Sequence, residues 1–283
     1  MDRKLVKLYL TIVISSILIS FIIPSLMPKV SKALTPIYTN IEVTIHESIK
    51  SEDTKEIKTG AKAIFIMDDG WDTQFTQGYS ILKEYNMKGN ISVIPSRVGE
   101  ENYVNIAMLK ELYINGWDLL NHTYNHIELT DLSKKEQKDE VDKCRNWLVN
   151  HNFKRGKDIV IFPKAYYTSD VFNILKEKNY KSARSLDTAW ILGNSIEVAK
   201  NTQVHNLVTD TEVSWAMDWI DKAIQNNGTI IFINHKFDHS EDDTGMYFDP
   251  KKFKQIVKYL DKNKEKITVI SYSEWLKKQQ DGF

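Results

Sequence analysis

The chain has 283 residues, enough for one large α/β barrel or for two small domains. Hydrophobic residues make up 42% and charged residues 27%, which excludes a largely disordered chain. The 38 basic and 38 acidic residues balance, so no strongly basic face is available for nucleic acid, and no nucleic-acid partner is expected. The single cysteine, Cys144, allows neither an internal disulfide nor a cysteine-based zinc cluster, so any metal must use His and carboxylate ligands.

At the N-terminus, Arg3, Lys4 and Lys7 precede an apolar run from Leu8 to Met27. Residues 1–33 are expected to be a signal peptide or a membrane anchor with its basic end in the cytoplasm. Ser31-Lys32-Ala33 offers small residues for cleavage after Ala33; left uncleaved, the run is about long enough to span a bilayer. Either outcome makes the protein secreted or membrane-anchored, with the rest of the chain outside the cytoplasm. Residues 34–60 are expected to be a linker with a short strand at Ile41–Ile45, and residues 61–283 the catalytic domain.

From Ala61 onward, short apolar runs alternate with amphipathic stretches. Strands are expected at Ala63–Met67, Asn90–Ile94, Trp117–Leu120, Ile159–Phe162, Ser182–Arg184, Gln203–Leu207, Thr229–Ile233 and Ile267–Ile270. Helical periodicity falls at Phe75–Tyr85, Ile106–Asn115, Lys134–Asn150, Val171–Lys178, Glu212–Asn226 and Phe253–Asn263. Ser133 with Glu136 forms a capping box for the third helix, and Gly89, Gly116 and Gly228 read as helix-ending glycines. The alternation predicts an α/β fold, a distorted (β/α) barrel of about seven to eight parallel strands, with an open doubly wound sheet as the alternative.

The chemically capable residues gather at the ends of these strands. Asp68-Asp69-Gly70 follows the first, His122 and His126 the third, Phe162 to Tyr167 the fourth, and Asn234-His235 the one starting at Thr229. In a parallel barrel those ends meet on one face, where barrel active sites are built. His122 and His126, four apart, would share one side of a helical turn, and with an aspartate they make a donor set for a divalent ion. Adjacent Asp68 and Asp69 can divide the work, one binding metal and the other contacting its water, while His235 can act as a general acid. Trp71, beside Asp69, can either stack on a sugar ring or serve as packing.

These residues resemble the NodB-type polysaccharide deacetylases, carbohydrate esterase family four, from about Ala61 to Trp275. The T/S-F-D-D-G motif of that family reads here Ile66-Met67-Asp68-Asp69-Gly70, with Met in place of Phe. Its H-S/T-x-x-H motif is intact as His122-Thr123-Tyr124-Asn125-His126. The resemblance implies Asp68 as catalytic base, Asp69, His122 and His126 as ligands of one divalent metal, zinc first with cobalt or nickel as alternatives, and His235 as the acid. The third motif, R-x-P-Y or F-x-Y-P-Y-G, is reduced to Phe162-Pro163-Lys164-Ala165-Tyr166-Tyr167, which lacks the arginine that orients the base. By the same resemblance Tyr166 supplies an oxyanion-hole N–H, and Asp187 with Trp190 stands where the fourth motif falls.

The implied activity is metal-dependent hydrolysis of N-acetyl groups on an extracellular amino-sugar polysaccharide: peptidoglycan, a chitin-like polymer or poly-N-acetylglucosamine. The degraded third motif leaves two alternatives: a carbohydrate-binding barrel with weak or no catalysis at the cell surface, or an amidase acting on a small amide. Expected partners are the polysaccharide substrate and, if the N-terminal segment is retained, a membrane.

Overall fold

The computed structural model describes residues 60–238 and 245–281. The expected leader or anchor and the linker up to residue 59 lie outside the described residues, as does most of the acidic stretch after Asp238. Among the described residues, no helix is long and apolar enough to cross a membrane.

The chain alternates strand and helix as its apolar periodicity dictates. The strands that begin and continue the fold are β1 (Ala61–Met67), β2 (Asn90–Val93), β3 (Asp118–Asn121), β4 (Ile159–Ile161) and β5 (Ser182–Arg184). An added hairpin, β6 (Ala189–Leu192) and β7 (Ile196–Val198), follows, and then β8 (Thr202–Leu207), β9 (Thr229–Asn234), the short pair β10 (Lys236–Phe237) and β11 (Tyr247–Phe248), and β12 (Ile267–Val269). The helices are α1 (Ser80–Glu84), α2 (Ile106–Ile114), α3 (Lys134–Asn150), α4 (Ser169–Glu177), α5 (Val213–Gln225), α6 (Pro250–Lys262) and α7 (Tyr272–Asp281). The capping box at the start of α3 is present in full: Ser133 accepts from the Glu136 amide, and Glu136 accepts from the Ser133 amide.

Among the described residues, a ten-stranded sheet runs in the order β7-β6-β5-β4-β3-β2-β1-β9-β8, with β12 also paired to β1. Every pairing in it is parallel except β5–β6 and β6–β7. The two ends of the path, β7 and β8, are joined by residues 199–201 alone, so the sheet curls back on itself. Side chains from β1, β3, β4, β6, β8 and β9 accordingly pack into one core, with Ile64, Ile66, Ile161, Ile231 and Ile233 fully buried. Each such side chain contributes about 1.5–3 kcal/mol by leaving water. The expected parallel α/β architecture is present, and the antiparallel β6–β7 hairpin is an addition that the sequence pattern does not signal.

Helix α7 was also not anticipated from the sequence, and it closes one end of this curl. Its first amides, on Tyr272 and Ser273, donate to Asn90 and Asp118, the first residues of β2 and β3, at 2.8 and 2.7 Å. Trp275 donates to Thr229 at the start of β9 (3.1 Å) and joins the core together with Tyr272 and Leu276.

Gly89 is required by contact, not by a helix-ending conformation. A Cβ there would meet the buried Trp117 ring at 2.9 Å, while the left-handed turn after α1 is taken by Asn86. The expected first helix is likewise modified: Gln74–Tyr79 winds as a π-helical stretch before α1. Its buried Gln74 amide donates to the Asp68 carbonyl and, at 2.8 Å, to the His235 carbonyl, which pins this stretch beneath the ends of β1 and β9.

Candidate active site

The C-terminal ends of β1, β3, β5 and β9 open into a cavity of about 360 Å³ lined by Asp68, Asp69, His122, His126, Arg184 and His235, with Trp71, Phe162, Lys164 and Met246 among the residues around them.

Asp69 leaves β1 with φ 76°, followed by Gly70 with φ 76°. Two successive left-handed residues turn the chain sharply, and glycine at the second bears that conformation without strain. The turn sends the two aspartates apart. Asp69 Oδ1 lies 3.3 Å from His122 Nε2 and 3.2 Å from His126 Nε2, and the three residues offer ligand atoms all within 4.8 Å of one another. The two histidines are not on a helical turn, as their spacing suggested. Thr123 and His126 both adopt positive φ, 61° and 60°, and the loop is tied down instead. Asn121 accepts from the Thr123 amide at 3.0 Å, Thr123 Oγ1 from the His126 amide at 3.1 Å, and the buried Glu140 carboxylate on α3 from the Asn125 amide and side chain at 2.8 and 2.7 Å.

The ring of His122 is fixed by a 2.8 Å hydrogen bond from Nδ1 to the Ile161 carbonyl, which turns Nε2 toward Asp69. Burial depresses the His122 pKa, but Asp69 and Asp68 outweigh it and the value ends above the ordinary one. Burial, reinforced by the charge of His122, pushes His126 down to about 4, so its imidazole is neutral at neutral pH. For Asp69, burial acts upward, and the hydrogen bond and charge of His122 reverse it to well below the usual range. Trp71 Nε1 donates to the other Asp69 oxygen at 3.3 Å while its ring stacks on Tyr103, centroids 4.6 Å apart. Separations of 3.2–3.3 Å between lone-pair atoms are those of ligands around one small cation, each about 2 Å from it. The donor set therefore fits a divalent ion.

Asp68 points the other way, into the barrel, and is 3% exposed. Its carboxylate accepts from Ser92 Oγ at 2.7 Å and from Arg184 Nη2 at 2.7 and 2.5 Å. Burial pushes this carboxyl up, and Arg184, with His122 and His235, overcomes that and holds it below the usual carboxylate range. Arg184 is 1% exposed and sits at the end of β5. The arginine missing from the loop after β4 is thus supplied from the next strand. The sequence did contain a signal, since a charged residue ends a short strand at the same level as the other clusters, but the weakness of that strand hid it.

Other expected residues lie elsewhere. The Tyr166 amide donates to the Pro163 carbonyl at 3.2 Å, its side chain is 57% exposed, and Tyr166 is not among the residues that line the cavity. The loop turns on Lys164 and Ala165, at φ 51° and 67°, and it is these two that line the cavity. Asp187 is exposed in the β5–β6 turn and accepts from Ser185 and Thr188, at 2.8 and 2.9 Å. Trp190 packs among Phe162, Tyr167 and Phe172. Neither lines the cavity. His235 does; burial pushes its pKa down, and its buried Nδ1 has no hydrogen-bond partner among the described residues.

Residues 56–183 match the family described as Polysaccharide deacetylase. The chain carries a polysaccharide deacetylase domain. It is 28% identical over 156 residues to the poly-beta-1,6-N-acetyl-D-glucosamine N-deacetylase of Staphylococcus aureus, covering 50% of this chain and 53% of that one. The chain therefore spans about half the length of this curated relative. The fold matches that of a Mycobacterium smegmatis protein assigned to the polysaccharide deacetylases, with a TM-score of 0.59 and 11% identity over 81% of this chain and 93% of that one. It also matches the Xyl-CE4 domain of a multidomain xylanase from the hindgut metagenome of Trinervitermes trinervoides, with a TM-score of 0.53 and 16% identity over 78% and 92%. These likenesses establish the α/β fold of the polysaccharide deacetylase domain.

Proposed function

We propose that this domain hydrolyses N-acetyl groups on an extracytoplasmic amino-sugar polysaccharide, with one divalent ion, zinc first, held by Asp69, His122 and His126. The observation that carries the reading is the pairing of two differently prepared aspartates at one strand end. Asp69 faces two imidazoles, and Asp68 is buried, ionised and held by Arg184. Bound there, the ion supplies Lewis-acid polarisation of the acetyl carbonyl and lowers the pKa of water toward about 7.

The chain's own groups complete the chemistry. Asp68 accepts the proton of the attacking water, and Arg184 keeps it ionised and aimed. His235, on the neighbouring strand, rests neutral because burial lowers its pKa, so it takes up a proton in the course of the reaction and gives it to the nitrogen of the departing amine. Trp71 at the rim offers a flat face for a sugar ring. Among polymers, poly-N-acetylglucosamine is favoured by the likeness to the Staphylococcus aureus enzyme. Export follows from the apolar run Leu8 to Met27, read as a leader or an anchor. Because Arg184 supplies the orienting charge, the degraded third motif no longer supports a non-catalytic reading.

The test is to purify the protein, measure bound metal and assay acetate release from poly-N-acetylglucosamine, peptidoglycan and chitin oligomers. The wild type is expected to bind one ion and release acetate, and Asp69→Ala to lose both. An Asp69→Ala protein that is metal-free yet active overturns the proposal.

A further inference from the structure

The two ends of the strands carry opposite charge. At the end where the strands finish, beside the site, exposed carboxylates predominate among the described residues: Glu100 and Glu101 after β2, Asp131 after β3, Asp187 after β5, and Asp210 and Glu212 after β8. Where the strands begin, the sign reverses. Exposed Lys154 and Lys181 lead into β4 and β5, Lys200 into β8, and Lys264 and Lys266 into β12. Helix α7 lies across this same end, and its Lys277 and Lys278 are exposed. The ammonium of Lys62, at the start of β1, is pushed down by burial and then by the nearby charge of Lys278. Of the acids at this end, Asp158 is held by Arg145 and Lys157, Glu274 by Lys88, and Asp261 by Lys264, while Glu177 and Glu265 are exposed. A chain of zero net charge has thus been folded into a molecule polarised along the barrel axis.

We propose that the lysine-rich end rests on the anionic headgroup surface of a lipid bilayer. Two observations select that occupant. The charge is complementary to acidic lipids, whose surface attracts basic side chains over about a Debye length. The chain also enters the domain at this end: β1 begins at Ala61, and residues 28–59 connect it to the apolar run from Leu8 to Met27. A bilayer holding that run keeps the lysine end at high effective concentration beside the headgroups. The cavity, at the opposite end of the strands, then faces away from the membrane. The proposal rests on the membrane reading of the apolar run but not on the deacetylase reading.

The full chain is reconstituted into phosphatidylcholine vesicles with or without about 30% phosphatidylglycerol, so that only headgroup charge differs. Lysines are acylated with a membrane-impermeant reagent and the modified peptides quantified by mass spectrometry. In the acidic vesicles Lys181, Lys264, Lys266, Lys277 and Lys278 are expected to label about five-fold more slowly, Lys134 at the start of α3 and Lys164 at unchanged rates, and about 0.5 M salt to erase the difference. Reversing four charges (K264E, K266E, K277E and K278E) removes the protection and leaves acetate release from a soluble oligosaccharide unchanged. Equal labelling in both vesicles overturns the proposal. So does protection by a soluble anionic polymer without protection by vesicles, or failure of the full chain to float with either vesicle.

Discussion

Arg184 Nη2 sits 2.7 and 2.5 Å from the two carboxylate oxygens of Asp68, with both side chains almost wholly buried. One nitrogen serves both oxygens, so the pairing depends on a charge at that point more than on the guanidinium fork. Arg184→Met is therefore expected to lower kcat by about 10²–10³, the contribution of a positioned general base, with bound metal retained. Asp68 acts only when ionised, and Arg184 holds its pKa down, so the variant's acid limb moves to higher pH. Arg184→Lys should restore part of both effects. An unchanged pH profile of kcat/KM in Arg184→Met would rule out the positioning role.

Trp71 touches the proposed metal site through one hydrogen bond, from Nε1 to Asp69. Trp71→Phe preserves the stack on Tyr103 but removes the donor, and is expected to weaken metal affinity by about 10–100-fold. A competition titration against a chromogenic chelator measures this; wild-type affinity would mean that Asp69 needs no such partner.

Glu140 acts on the same site from α3. Its carboxylate takes both donors of Asn125, the residue before His126. Glu140→Ala hands the donors of exposed Asn125 to water, at a cost of about 1 kcal/mol for the lost hydrogen bonds, and frees the loop that positions His126. Thermal melts with and without zinc should show a lower Tm and a smaller metal-induced rise than wild type.

His205 on β8 stacks on Trp219 at 4.0 Å, and burial, followed by Lys222, pushes its pKa down. As pH falls below about 6.5 the unfolded chain takes up a proton that the folded chain resists, so stability present above that pH is lost below it. His205→Phe keeps the stack without the titration. Its drop in Tm between about pH 7.5 and 5.5 should be smaller than that of wild type, and an equal drop would remove His205 from the account.

Much of this was readable in the chain. The parallel strands were legible because runs such as Ala63–Met67 and Thr229–Ile233 are apolar throughout, as strands buried on both faces must be. Asp69, His122 and His126 were legible because strand ends converge in space. Arg184 was not, because its strand is three residues long and the motif it resembles carries its arginine in the preceding loop. Helix α7 was missed because Tyr272, Trp275 and Leu276 are too few apolar positions in a polar stretch to declare a helix. Their burial depends on the open end of the barrel, which no local pattern reveals. The left-handed conformations of Thr123, Lys164 and Ala165 also escaped notice, since none is a residue that ordinarily signals such a turn.

Helix α7 also sets a constraint in time. Tyr272 and Trp275 fill the floor of a core whose walls are synthesised long before them. Until those residues emerge from the ribosome, the nascent barrel has an open base and its strands lack their final lock.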